Sequence, residues 1–429
     1  MVASKYMKKQ YKEVNDKMVS ICFYFQVHQP RRLREYSVFD IRKNQDYFDD
    51  EKNQEIMNKV AKKCYLPMNK LLLELIQQHN GSFKVSFSIS GSCLEQFEQF
   101  APEVLESFKE LARTGCVEFL AETYYHSLAF LYNQQEFKEQ VRLHSKKVKE
   151  LFGQEPTVFR NTELIYNNEL PLVVERMGYK AVLTEGADHI LGWRSPNFVY
   201  HPSNTKKVKL LLKNYKLSDD IAFRFGNKGW EEHPLSVEKF ERWVSANNGN
   251  GQLINLFMDY ETFGEHQWED TGIFEFMKQL PEAILKHPDN DFVTTSEAAD
   301  RYDAIADIDV PQTISWADAE RDTTAWLGNK MQNVAIEQLY KLAPPIHAQG
   351  DQQAMAQWRH LTTSDHFYYM CTKWFSDGDV HKYFSPYESP YDAYIAFMNV
   401  MNDLSYRTTQ DNTQTNTVQT NQLRLSEKF

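Results

Sequence analysis

Two short stretches hold acids whose types and settings could do chemistry together. "FRNTELIYNN" (159–168) carries Glu163, and "LFMDYETFGEHQW" (256–268) carries Asp259. Each acid follows an apolar run. Each also has neighbours able to tune it: Arg160, Asn161 and Asn167 near the first, Tyr260 and Phe263 beside the second. Such a pair suits cleavage of a glycosidic bond, where an ionised carboxylate attacks and a protonated one gives its proton to the leaving oxygen. Where the anomeric configuration is retained, the two groups stand about 5 Å apart. Spacing along the chain does not assign the two roles. Further along, Glu265 reads as solvated, and Glu261 faces away from Asp259 if strand alternation stops at Tyr260.

The elements that must position these acids are short apolar runs. They are 21–28, 84–92, 117–122, 158–163, 181–186, 221–225, 253–260 and 292–297, separated by stretches of helical spacing such as 53–79 and 134–151. Apolar strands alternating with helices imply a parallel sheet covered on its outside, and seven or eight such units imply closure into a barrel. Polar residues fall at the strand ends. His28 ends the first, Glu95 follows the second, and Glu122, Glu163 and Glu185 end the next three. Asp219 and Asp220 precede 221–225, and Asp259 and Glu297 close the last two. In a parallel barrel all C-terminal strand ends lie at one face, so these acids are expected to converge there.

After about residue 300 the pattern changes. Segments 316–343, 350–374 and 389–405 read as helices. The expected organisation is an N-terminal extension (1–18), a catalytic barrel (19–300), a helical C-terminal domain (301–406) and a polar, mobile tail (407–429). The fold class is α/β, with no internal repeat.

Composition narrows the partners. The net charge is −11 with no basic block, which argues against nucleic acid and anionic membranes and suits a neutral ligand such as a sugar. Aromatics make up 14% of the chain, enough to supply both core and ligand grooves. The five cysteines are scattered with no CxxC pair, and no apolar run approaches a membrane span. The charged first residues do not read as a signal peptide, so the expected location is cytoplasmic. Oligomeric state is not legible.

Five stretches in order, "FYFQVHQPRRL" (23–33), "SISGSCLEQF" (88–97), "FRNTELIYNN", "LFMDYETFGEHQW" and "TTSEAAD" (294–300), resemble the five-region pattern of glycoside hydrolase family 57. Residues 362–394 resemble the C-terminal part of that family's α-amylase branch. The resemblance implies an incomplete (β/α)7 barrel with a C-terminal helical domain. By analogy it makes Glu163 the nucleophile and Asp259 the general acid/base of a retaining α-glucan hydrolase. No metal or cofactor is required by the family mechanism. His28, Glu95 and His266 would line the sugar cleft, and Glu95 could otherwise be an acid favoured by a helix N-terminus. Glu122, His126, Trp193, Asp220, Asp365 and His366 complete the candidates for binding an α-glucan or maltooligosaccharide.

The runner-up is a 4-α-glucanotransferase using the same two carboxyl groups. A metal-dependent polysaccharide deacetylase would need an Asp and two His as ligands, with His28, His126 and His266 the available imidazoles. A non-catalytic glycan-binding protein is the remaining alternative.

Overall fold

The computed structural model describes residues 19–287, 290–373 and 385–426, with side chains described as far as Thr408. The expected N-terminal extension lies outside the described residues, as do 374–384 and 427–429. The chain divides into two compact units. One holds the residues up to Gln29 with Gln54–Tyr124 and Lys138–Asp322; the other holds Pro30–Asn53, Tyr125–Phe137 and the chain from Thr323 on.

Ten strands occur among the described residues, all in the first unit. They are β1 (Ser20–Val27), β2 (Val85–Ile89), β3 (Val117–Phe119), β4 (Val158–Arg160), β5 (Ala181–Glu185), β6 (His201–Pro202), β7 (Lys209–Lys213), β8 (Leu253–Asp259), β9 (Asp291–Phe292) and β10 (Asp307–Ile308). Seven of them make one parallel sheet in the order β3-β2-β1-β8-β7-β5-β4; β9 pairs with the start of β1, and β6 pairs with β10 separately. The ends of that order approach each other, because Ala121 bridges to Phe159 and its carbonyl accepts from Arg160 N at 2.9 Å. The weak seam is between β7 and β8, joined in register only at Lys213 and Asn255. The result is the expected incomplete (β/α)7 barrel.

Strand parity sets what each side chain faces. In β1, Ile21, Phe23, Phe25 and Val27 belong to the core shared with the surrounding helices, while Cys22 and Tyr24 belong to the cluster on the opposite, inner face. In β8, Ile254, Leu256 and Met258 face the helices, and Leu253 and Phe257 face inward. Both faces are dry, so the strands read as continuous apolar runs.

Two expected strands are not strands. Residues 221–225 continue the helix Tyr215–Asp219 as the turn Asp220–Arg224. Leu217, Ile221 and Phe225 are buried at helical spacing, while Phe223 is 62% exposed, which a buried strand could not tolerate. The strand at this place in the sheet is β7, "KLLLK". Past Phe292, the 292–297 run becomes the helix Thr295–Arg301, started by a capping box between Thr294 and Glu297. Glu297 is therefore a cap and a partner of Lys84, not an acid at the barrel mouth.

The second unit is helical. Its helices from Thr323 on are Thr324–Leu327, Lys330–Lys341, Ala343–Gln349, Gln352–Leu361, Ser364–Tyr368 and Pro390–Ser426, and Ala129–Tyr132 adds a short one. Residues 316–323 precede the first of these and are not helical. The last helix runs on through most of the segment read as a tail. Glu136 receives Arg359 at 2.8 and 3.1 Å, and buried Asp403 accepts from Tyr47 Oη at 2.5 Å. Among the described residues no helix is long and apolar enough to cross a membrane.

Phe87 of β2 anchors the helix-facing core, with ring centroids 5.5 Å from Phe25, 5.4 Å from Phe108, 6.0 Å from Phe119 and 5.0 Å from Tyr260. Phe87→Ala is expected to lower unfolding free energy by about 3–5 kcal/mol in urea titrations.

Candidate active site

The inner-face parity that buries Cys22 and Tyr24 continues into polar residues at the C-terminal strand ends. The inward positions become Gln26 on β1 and His28 just after it, Ser88 on β2 and Ser90 just after it, Glu122 after β3, Arg160 on β4, Glu185 on β5, Lys213 on β7 and Asp259 on β8. Polar side chains from seven strands thus gather at one end of one barrel.

Gln26 is a hub within this group. Its amide nitrogen donates to Glu122 Oε1 at 3.0 Å, and its carbonyl oxygen accepts from Tyr24 Oη at 2.9 Å and Ser88 Oγ at 3.0 Å. Gln26 stands in register with Asp259 on the neighbouring strand. Burial pushes the Tyr24 phenol well up against the pull of the Arg160 charge, and the charges of Glu122 and Asp259 add to the rise. Tyr24 therefore feels Arg160, Glu122 and Asp259 together. Asp259 is half-buried.

Tyr260 and Phe263 do not flank the Asp259 carboxyl. Both are fully buried on the helix side, with Tyr260 Oη donating to Asn69 Oδ1 at 2.6 Å, so they anchor the loop. Glu261 turns to Tyr65 of the helix-facing core. It is buried, takes a hydrogen bond from the Tyr65 hydroxyl, and is pushed up to about 8 by burial first and then by the Asp259 charge. Near neutral pH it holds a proton. Gly264 follows at φ +103, where a Cβ would lie 2.0 Å from the Lys63 carbonyl oxygen, so only glycine fits. Glu265 is not solvated: it is nearly buried and pairs with Lys59, and with Lys63 at 3.7 Å. His266 is half-buried, and desolvation pushes its imidazole down to about 4, leaving it neutral.

Glu163 lies on a tight turn after β4 with φ +57, and Leu164 follows at φ +51. Two consecutive non-glycine residues in the left-handed region cost about 1–3 kcal/mol each, a strain typical of sites where geometry matters more than ease of folding. Asn161 secures the turn by donating to the Ile165 carbonyl at 2.9 Å. Asn167 points instead to Thr313 Oγ1, 3.1 Å away. The Glu163 carboxylate accepts from the indole of Trp316, Nε1 to Oε2 at 2.7 Å.

Charges cluster around that indole. The Arg160 guanidinium lies 4.8 Å from its ring centroid and the Lys213 ammonium 5.3 Å. Lys213 pairs with Asp219 at 3.0 Å and Glu185 at 3.8 Å, and Arg321 reaches the same acids at 3.1 and 3.7 Å. Burial drives Glu185 up to about 7 despite these two cations. Trp316, Lys213 and Arg321 carried no signal in the sequence, because nothing local marks a tryptophan 153 residues away as a partner of Glu163.

The other candidates fall as follows. His28 is half-buried with Nδ1 2.6 Å from Ser90 Oγ. Glu95 is half-buried on the helix Gly91–Phe100, at its fifth position and so past the first turn, where a dipole role would lie. Trp193 follows Gly192 and is 87% exposed, with Arg194 beside it. Asp220 does not lead into a strand; it sits in a helical turn with Arg224 Nε 2.6 Å away. His126, Asp365 and His366 belong to the second unit. There Ser127 bridges to Thr363, and the His126 carbonyl accepts from Ser364 N at 2.9 Å, bringing the two segments together. His366 is buried and neutral, pushed down to about 4. Among the described residues no group of three His, Cys, Asp or Glu is placed to hold a metal ion.

Residues 22–311 match the family model described as Glycosyl hydrolase family 57. A Methanocaldococcus jannaschii protein named "Putative alpha-amylase" is 45% identical over 402 residues, covering 90% of this chain and 84% of that protein. Among solved structures, the 4-alpha-glucanotransferase of Thermococcus litoralis is similar with a TM-score of 0.68 at 14% identity. The match covers 91% of this chain and 60% of that enzyme's length. A GH57-type branching enzyme of Pyrococcus horikoshii is similar with a TM-score of 0.65 at 12% identity, covering 90% of this chain and 88% of that one. At these identities the structural likenesses show a shared fold.

The protonated state of Glu261 has a consequence for stability. Its folded value of about 8 lies above the ordinary 4.5, so the folded state binds more protons between those values and stability falls as pH rises through that window. Glu261→Gln removes the titration. Urea unfolding from pH 5 to pH 8 is expected to shift the comparison in the variant's favour by on the order of 1 kcal/mol or more. A wild-type-to-variant difference that stays constant with pH would contradict the assignment.

Proposed function

Because the chain belongs to glycosyl hydrolase family 57, we propose that it is a retaining α-glucan hydrolase of the α-amylase type, acting on α-1,4-glucosidic bonds. Glu163 is the nucleophile and Asp259 the general acid/base. The observation that carries this reading is the unequal setting of the two acids at C-terminal strand ends of one barrel. Glu163 is fixed by strained backbone and by an indole donor, while Asp259 is half-buried beside a carboxyl that holds its own proton.

In the first step Asp259 protonates the glycosidic oxygen as Glu163 attacks the anomeric carbon. The leaving group departs and a glycosyl ester forms on Glu163. Asp259, now ionised, takes a proton from water, which attacks the same carbon and frees Glu163. His28, Glu95, Glu122 and His266 bind the sugar near the reacting bond in this reading. Trp193 offers an exposed ring for stacking, and Asp220 a carboxylate, farther out. His126, Asp365 and His366 are further candidate sugar ligands. The substrate is a neutral glucan or maltooligosaccharide, in keeping with the acidic chain. Five free, buried cysteines support a cytoplasmic setting.

The test is a product time course on maltoheptaose. Reducing ends are expected to rise steadily; longer oligosaccharides at constant reducing ends would make the enzyme a 4-α-glucanotransferase. Glu163→Gln is expected to lower kcat by about 1000-fold or more, and Asp259→Asn by about 100- to 10,000-fold. Hydrolysis at the wild-type rate in either variant would overturn the catalytic pair.

A further inference from the structure

Trp316 reaches Glu163 through a built connection. Residues 310–316 run antiparallel to 163–168. Asn168 N donates to the Val310 carbonyl at 3.0 Å, Tyr166 and Ile314 exchange backbone hydrogen bonds at 3.0 and 2.9 Å, and Trp316 N donates to the Glu163 carbonyl at 3.2 Å. This zipper sets Trp316 directly opposite Glu163. The guanidinium of Arg321 then holds the Trp316 carbonyl, and Ser315 N donates to the Arg321 carbonyl at 3.1 Å. The indole ring packs against the inner-face cluster without being fully buried.

Arg160 adds a second observation. It is fully buried, yet among the described residues none of its three guanidinium nitrogens has a hydrogen-bond partner. A buried cation without hydrogen bonds is costly unless a π face and nearby carboxylates stabilise it. Its contact with the indole therefore ties two groups together: the ring compensates the cation, and the cation holds the ring with its N–H aimed at Glu163.

We propose that Trp316 is the positioning residue for the Glu163 carboxylate. Its indole N–H fixes Oε2 and so sets the plane in which the carboxylate meets the anomeric carbon, with Arg160 and Lys213 clamping the ring. The inference rests on the retaining reading given above. A hydrogen bond donated to the ionised form also favours that form, so the contact keeps Glu163 ready to attack at lower pH.

Trp316→Phe keeps a ring for the cations and deletes only the donor. On maltoheptaose, kcat is expected to fall about 10- to 100-fold with KM within about 3-fold. The acidic limb of the kcat profile is expected to move up by roughly one pH unit. A merely structural role would leave that limb in place. A wild-type kcat, or a reduced kcat with an unmoved acidic limb, overturns the inference. Tryptophan fluorescence titrated through the acid range reads the contact without turnover. Wild type is expected to show a transition that is lost in both Glu163→Gln and Trp316→Phe, and a transition of equal amplitude in Glu163→Gln overturns the proposal. If Glu163→Gln keeps full hydrolytic activity, the assignment of Glu163 as nucleophile fails, while the fluorescence difference still decides whether Trp316 holds Glu163.

Discussion

The contact between the Trp316 indole and the Glu163 carboxylate is where the buried charges of the barrel meet. Arg160 and Lys213 lie over the ring, and Arg321 grips its backbone. Lys213 and Arg321 in turn share Glu185 and Asp219. Such a group is stable only as a whole, because removing one member leaves an uncompensated buried charge worth several kcal/mol. The mutual dependence fixes the field around Glu163 before any ligand arrives. Fixed charges and dipoles aimed at a reacting centre need no reorganisation during the reaction, which is the usual source of large electrostatic effects in enzymes.

Strand parity makes this arrangement possible. The strands spend their helix-facing residues on a dry core, where Phe25, Phe87 and Tyr65 all pack against Tyr260. The opposite face is apolar deep in the barrel and polar at the C-terminal end. Tyr260 shows the division within a few residues: its ring locks the loop into the core, while Asp259 just before it stands at the polar end. A segment that looks like a charged surface loop is therefore an anchored one, with Lys59 and Lys63 holding Glu265.

Much of this was legible in the sequence. The apolar runs marked six of the seven main strands, and acids at their ends pointed to one face. The misreadings have physical causes. "IAFRF" has the composition of a strand, but its burial follows the period of the helix that begins at Tyr215. "KLLLK" gives little strand signal, because only three apolar residues separate its lysines, one of which is buried in the charge cluster. "TTSE" follows an apolar run and so resembles a strand end, although Thr-x-x-Glu is the signature of a capping box. Trp316, Arg321 and the left-handed backbone of Glu163 depend on pairing between distant segments, which leaves no local pattern to read.

The proposed role of Glu163 is to form a bond to the anomeric carbon, and trapping the glycosyl ester reveals whether it does. A fluorinated glucosyl fluoride, which slows breakdown of the glycosyl ester more than its formation, would be incubated with the enzyme and the digest analysed by peptide mass. One fluoroglucosyl adduct is expected, on the peptide carrying Glu163. An adduct on Asp259 or Glu122, or products of inverted anomeric configuration with no adduct at all, would contradict it.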